Sequence, residues 1–229
     1  MLILLSCIRE KKQSTSKHLY MKKIVKKEPT IPGYTPFEYL LVLMPHEELR
    51  NRIAGVKKEF SEKYKTNAFR SLGSYLTLVK FSQFQLMEER LINRLKTIAM
   101  SHAAFKVELK GFSSYPCHSI YIPVTSRLQI TELMKDLRAA GRLMKQGDKD
   151  PHYLEDPQFT IANKLLPWQY EQGWLEYKNR SFTAKFIADH LLLLRRRTGE
   201  KRYEVIQRFE FMNLPVTSRQ GELFWAGIM

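Results

Sequence analysis

The chain has 229 residues, 44% of them hydrophobic and 27% charged, and carries a formal net charge of +15. That is the composition of an ordinary globular protein with room for one large domain or two small lobes. No apolar stretch approaches the ~18–20 residues that a membrane-spanning helix needs, and two cysteines, Cys7 and Cys117, exclude a disulfide framework and suggest a reducing, cytoplasmic setting.

The opening Met1-Leu2-Ile3-Leu4-Leu5-Ser6-Cys7-Ile8 is apolar, but its basic residues follow it, the reverse of a secretory signal. Leu4-Leu5-Ser6-Cys7 loosely matches a lipoprotein cleavage site. The preferred readings are a tail or an upstream start, with Met21 as the true first residue. Residues 1–29 hold eight Lys/Arg against two Asp/Glu, so much of the charge belongs to an expected disordered basic tail over 1–35. The surplus left in the remaining chain, 36–229, favours a polyanionic partner such as RNA or a nucleotide, although a solvated basic surface explains it too.

Prolines at 29, 32 and 36 with Gly33 end the tail. Tyr39–Met44 then reads as a buried strand stopped by Pro45. Residues 46–64 predict a helix with Leu49, Ile53, Val56 and Phe60 on one face. Ser74–Phe81 is a second strand, and Gln85–Ala104 a long helix with Leu86, Leu91, Leu95 and Ile98 inward. Strands at Phe105–Phe112 and Ser119–Val124 follow, the first with one buried and one wet face. A helix over Ser126–Ala140 is expected, capped by Ser126 and closed by Gly141. After a loop at 145–157 come the strand Gln158–Ala162 and a helix from Pro167, in the first-turn position, to Asn179. A hairpin of Phe182–Arg195 against Tyr203–Met212, turning at Thr198-Gly199-Glu200, completes the chain. Two similar halves emerge, though without sequence identity between them.

Two strands share one pattern. Tyr75-Leu76-Thr77-Leu78-Val79-Lys80 and Gln158-Phe159-Thr160-Ile161-Ala162-Asn163-Lys164 each place a threonine two residues after a polar one, on the same strand face. A lysine, Lys80 or Lys164, follows each threonine. The pair resembles the two His-x-Thr-x motifs of the 2H phosphoesterase superfamily, which includes the 2′-5′ RNA ligase and cyclic phosphodiesterase proteins. The 83-residue separation, the Leu-Thr-Leu and Phe-Thr-Ile contexts and the order of elements over 36–212 also agree.

The resemblance implies an α+β, bilobal fold, with two pseudo-symmetric antiparallel sheets, helices packed outside and a central cleft. It also implies a reaction in which one imidazole takes a proton while the other gives one, and each threonine steadies a phosphate oxygen. This chain departs at the decisive positions. Tyr75 and Gln158 stand where the histidines belong; tyrosine is a poor base at neutral pH and glutamine cannot exchange a proton. What the resemblance leaves is a catalytically degenerate protein that binds a nucleotide, cyclic phosphate or RNA end through Tyr75, Thr77, Lys80, Gln158, Thr160 and Lys164. The alternatives are a divergent active phosphodiesterase, using Tyr75, Gln158 or another histidine such as His152 or His118, and an interaction module whose cleft is blocked by Tyr75 and Phe159.

The threonines also suit strands simply as β-branched residues. Trp168, Trp174 and Leu175 read as core rather than base-stacking residues. Arg195-Arg196-Arg197 with Lys201-Arg202 reads as a solvated cationic turn, with RNA-backbone contact as the alternative. No Walker loop, dinucleotide fingerprint, GxSxG elbow, HExxH helix or CxxC pair is present. Neither a metal nor a cofactor is expected.

Overall fold

The structure, a computed structural model, describes residues 33–66 and 73–214. The expected tail, apart from Gly33, Tyr34 and Thr35, lies outside the described residues. In chain order the elements are β1 (Pro36–Leu43), α1 (Glu47–Lys63), β2 (Leu76–Phe84), α2 (Glu88–Ser101), β3 (Phe105–Lys110), β4 (Ser113–Tyr115) and β5 (Ser119–Pro123). They continue with α3 (Leu128–Ala139), α4 (Gly141–Met144), β6 (His152–Tyr153), β7 (Gln158–Ala162), α5 (Pro167–Tyr177), β8 (Thr183–Ala188), β9 (His190–Arg197) and β10 (Glu204–Glu210).

The architecture is α+β, with antiparallel sheets and helices on their apolar sides. The first sheet runs β10-β9-β1-β2-β6. The second consists of β8-β3 and β4-β5-β7, joined by a bridge between Leu109 and Val124. Gly111, at φ +70, makes the bend between β3 and β4 that a side chain would strain. One continuous core serves both sheets. It takes Leu41, Leu43, Leu76 and Leu78 from the first, Ile120, Ile122, Phe159 and Ile161 from the second, and Leu49, Ile53, Phe60, Leu91, Leu95, Leu133 and Leu137 from the helices.

Four expectations are corrected. The segment Phe182–Arg195 is not one hairpin arm. β8 pairs with β3, whereas β9 pairs with β1 and β10, and the chain changes sheets at Asp189. The two stretches have nearly the same strand-forming composition, so nothing local marks the break. Leu86 is 61% exposed. It lies in a 3₁₀ turn at Gln85–Met87 whose tighter winding puts it out of phase with Leu91, Leu95 and Ile98 on α2. Ser126 does not cap α3; its Oγ accepts the Glu108 backbone N–H at 2.9 Å and ties that helix's approach to β3. Gly141 opens α4 rather than ending α3 at a left-handed residue.

Candidate functional site

In β2, Thr77 is half-buried between the fully buried Leu76 and Leu78. In β7, Thr160 is half-buried between Phe159 and Ile161. Each threonine therefore looks away from the shared core, as does the residue two places before it. Both strands carry a bulge one residue after the threonine. In β2 the register steps from Thr77 opposite Val42 to Val79 opposite Leu41, leaving Leu78 extra. In β7 it steps from Thr160 opposite Tyr121 to Ala162 opposite Ile120, leaving Ile161 extra.

A bulge admits one extra residue and resets which residues share a face. Lys80, three places after Thr77, would otherwise point to the opposite side; instead it stands opposite Leu40, on the face that carries Val42 and Thr77. By the same count the counterpart of Lys80 in the second strand is Asn163. Lys164 is exposed, past the strand end, at φ +53. The pairing of Lys164 with Lys80 is thus replaced by a pairing with Asn163. The two halves resemble each other in backbone register even though their sequences do not.

On the first sheet, the face bearing Thr77 has an apolar strip of Leu40, Val42, Leu192 and Leu194, against which Met44, Tyr75 and Tyr203 pack. Tyr75 folds back onto Gly73, where an added Cβ would lie 2.1 Å from the ring. Only glycine permits this approach. The strip's polar end is Glu38, whose Oε2 accepts from Arg196 Nε at 2.9 Å and from the Tyr203 hydroxyl at 3.3 Å. Arg196 also lies 4.5 Å over the Tyr203 ring.

Burial works to raise the Glu38 carboxyl, but the hydrogen bond and charge of Arg196, with Lys80 and Tyr203, outweigh it and hold the group below its ordinary value. Burial pushes the Tyr75 phenol up, against a smaller opposing pull from Arg196. Tyr203 is pushed up to about 12, mainly by burial. A phenol so raised stays protonated at neutral pH and is a hydrogen-bond donor, not a base.

On the second sheet, Gln158 is half-buried and its Oε1 is enclosed without a hydrogen-bond partner. Phe159 faces the core and blocks nothing on the Thr160 side. His152 pairs with Lys80 across β2 and β6, which brings it to the Thr77 face of the first sheet. His118 is exposed in the turn before β5. The sequence pattern gave His152 no such place, because the two-residue strand that positions it is too short to register as a period.

A family model described as the 2′-5′ RNA ligase superfamily matches residues 45–200, more than half of the chain and inclusive of both motifs. The chain belongs to the 2′-5′ RNA ligase superfamily. No curated protein matches the sequence. Among solved structures, Escherichia coli LigT complexed with 3′-AMP superposes with a TM-score of 0.53 at 15% identity, over 77% of this chain and 98% of that one. The apo form of LigT gives 0.51 at 14% identity over the same shares. The NADP+ complex gives 0.50 at 12%, over 77% and 99%. At such identities the likeness is one of fold.

Arg195 is not a free cation at a turn: it reaches Glu88 at 2.8 Å and Glu204 at 2.7 Å, over the Phe37 ring. Arg196 is engaged by Glu38, which leaves Arg197, Lys201 and Arg202 exposed. Trp168 and Leu175 are 45% and 64% exposed, contrary to the core reading, because α5 turns Tyr170, Gly173 and Tyr177 inward instead. Trp174 is partly buried against the core, as expected. Asp189, His190 and Glu210 bring potential ligand atoms within 4.8 Å of one another. Arg208 stands 2.6 Å from Glu210 and 3.8 Å from Asp189, so a guanidinium already supplies the positive charge there. A cavity of about 520 Å³ lies at the start of α1, lined by His46, Arg52, Glu108, Lys110 and Lys185 among others.

Proposed function

We propose that this protein binds a nucleotide, cyclic phosphate or RNA end through Thr77 and Thr160 without carrying out the phosphodiester chemistry of its superfamily. The observation that carries this reading is the paired placement of the threonines. Each is half-buried on the non-core face of its strand, one residue before a bulge, and this matched placement supports a phosphate-holding role for both. The proton-transfer groups are not kept. At the first motif stands a phenol pushed above its ordinary value, packed on Gly73 and an apolar strip. At the second stands an amide, which neither gains nor loses a proton near neutral pH. General acid–base catalysis contributes about 10²–10⁴-fold, so binding outlives turnover.

Donors remain for an anion. The Tyr75 hydroxyl, the Gln158 amide and Lys80 all belong to the two faces that carry the threonines. LigT, similar in fold, has been obtained with 3′-AMP and with NADP+, which supports a nucleotide as the ligand class. Neither metal nor cofactor takes part in this reading.

The test is calorimetric titration of the full chain with 3′-AMP and with 2′,3′-cyclic AMP, beside Thr77→Ala/Thr160→Ala. A saturable heat that the double variant weakens supports the reading. Equal binding by both proteins places the ligand elsewhere, and no binding favours an interaction module.

A further inference from the structure

The phosphate reading leaves unused the residues directly beside Thr160. β5 sets Tyr121 opposite Thr160 in the antiparallel register, which puts their Cβ atoms about 4.5–5.5 Å apart on the same face. That face is opposite the core, since the flanking Ile120 and Ile122 are fully buried while Tyr121 is half-exposed. The Tyr121 ring meets the ring of Tyr115, from β4, at 4.9 Å between centroids with planes 34° apart. Tyr115 is 40% exposed.

The pair is held from its far end. The Tyr115 hydroxyl makes a long hydrogen bond to Asp156 at 3.5 Å, and Arg127 holds Asp156 at 3.0 Å. The neighbouring Ser114 points to the other side of the sheet, where its Oγ lies 3.0 Å from the Tyr170 hydroxyl on α5. These contacts fix the strand and the hydroxyl end of the Tyr115 ring. Burial, with the charge effects of Tyr121 and Asp156 adding to it, raises the Tyr115 phenol above its ordinary value.

We infer that Tyr121, backed by Tyr115, is a stacking platform for the base of the nucleotide whose phosphate Thr160 holds. The inference rests on the phosphate reading above and sharpens its ligand: a nucleotide with its base attached, rather than a bare phosphosugar. A flat ring next to a phosphate-holding hydroxyl is what a nucleotide requires, because every base presents a π-face and stacking does not discriminate strongly among them. The platform predicts tolerance of base identity together with a demand for a base.

The experiment is titration of the full chain with 3′-AMP and with ribose 5-phosphate, for wild type, Tyr121→Ala, Tyr121→Leu, Tyr121→Phe and Thr160→Ala. Tyr121→Ala is expected to lose roughly 5- to 150-fold in affinity for 3′-AMP, the range of one base–aromatic stack. Its loss for ribose 5-phosphate is expected to be absent, and Tyr121→Phe to recover the nucleotide affinity. Tyr121→Leu keeps the bulk without the π-face and should behave as Tyr121→Ala, so a packing defect in the alanine variant does not obscure the result. If Thr160→Ala weakens both ligands while Tyr121→Ala and Tyr121→Leu bind 3′-AMP like wild type, the platform is overturned and the phosphate reading stands. If Thr160→Ala changes neither ligand, or wild type binds neither, the phosphate reading falls and takes the platform with it.

Discussion

Placing histidines at positions 75 and 158 should create a phosphodiesterase. The structure says what each exchange costs. Tyr75→His removes a ring that packs on Gly73 and on the strip of Leu40, Val42, Leu192 and Leu194. Because Tyr75 is only half-buried and an imidazole refills part of the space, the loss is about 1–2 kcal/mol, below the 3–5 kcal/mol of a fully buried aromatic cut to alanine. Gln158→His breaks no hydrogen bond at Oε1, which has none. The fold should therefore survive both changes. Each correctly placed imidazole contributes about 10²–10⁴-fold. Acid and base act in one step, so the single variants should stay near background and the double variant rise well beyond the product of the two. Hydrolysis of 2′,3′-cyclic AMP followed by chromatography reads this directly, with Thr77→Ala added as a control that should abolish the gain. A double variant that folds, binds 2′,3′-cyclic AMP and still gives no product would refute the reasoning, since the threonine framework would then not be set for this chemistry.

Three further outcomes follow from the same contacts. Glu38, held below its ordinary value of 4.5, contributes stability that is complete above that value and is lost as pH falls through the lowered folded value. In Arg196→Met the fall in Tm on acidification should be shallower than in wild type, as followed by circular dichroism. Gly73→Ala places a Cβ 2.1 Å from the Tyr75 ring and should cost about 1–3 kcal/mol by overpacking; Tyr75→Ala in the same chain should recover part of it in urea unfolding. Gln169 is buried, its Oε1 accepting from the Leu166 N–H at 3.0 Å and its Nε2 donating to the Tyr64 carbonyl at 2.9 Å. Gln169→Leu strands both groups and should lower stability by about 1–3 kcal/mol per group left unpaired, while Gln169→Glu should retain the Leu166 contact and lose the Tyr64 one.

Much of the framework was legible in the sequence because it depends on local periodicity. The buried run of β1, the face of α1 and the strand Gln158–Ala162 all lie where hydrophobic spacing puts them. The motif threonines were found through their resemblance to the two His-x-Thr-x motifs, and their half-buried places between fully buried neighbours follow from the alternation of each strand. What escaped depends on pairing partners distant in sequence. The bulges after the two threonines exist only in the register between strands, so Lys80 looked equivalent to Lys164 when its counterpart is Asn163. The break at Asp189 follows from β8 and β9 having different partners, β3 and β1. Tyr121 was passed over because its significance comes entirely from standing opposite Thr160. Trp168 and Leu175 misled for the converse reason: large apolar residues on a helix suggest a core face, but α5 packs through Gln169, Tyr170, Gly173 and Tyr177.

The central claim is that the phosphate framework persists without its proton-transfer groups. The most direct measurement is a single-turnover experiment with wild-type protein in excess over 2′,3′-cyclic AMP, at a concentration where calorimetry shows the ligand bound. The account predicts that the cyclic phosphate is recovered intact after prolonged incubation, and that Thr77→Ala/Thr160→Ala releases it. Opening of the cyclic phosphate by wild type, abolished in that double variant, would contradict the account and assign the proton transfer to another group on the same faces, with His152 the first to replace.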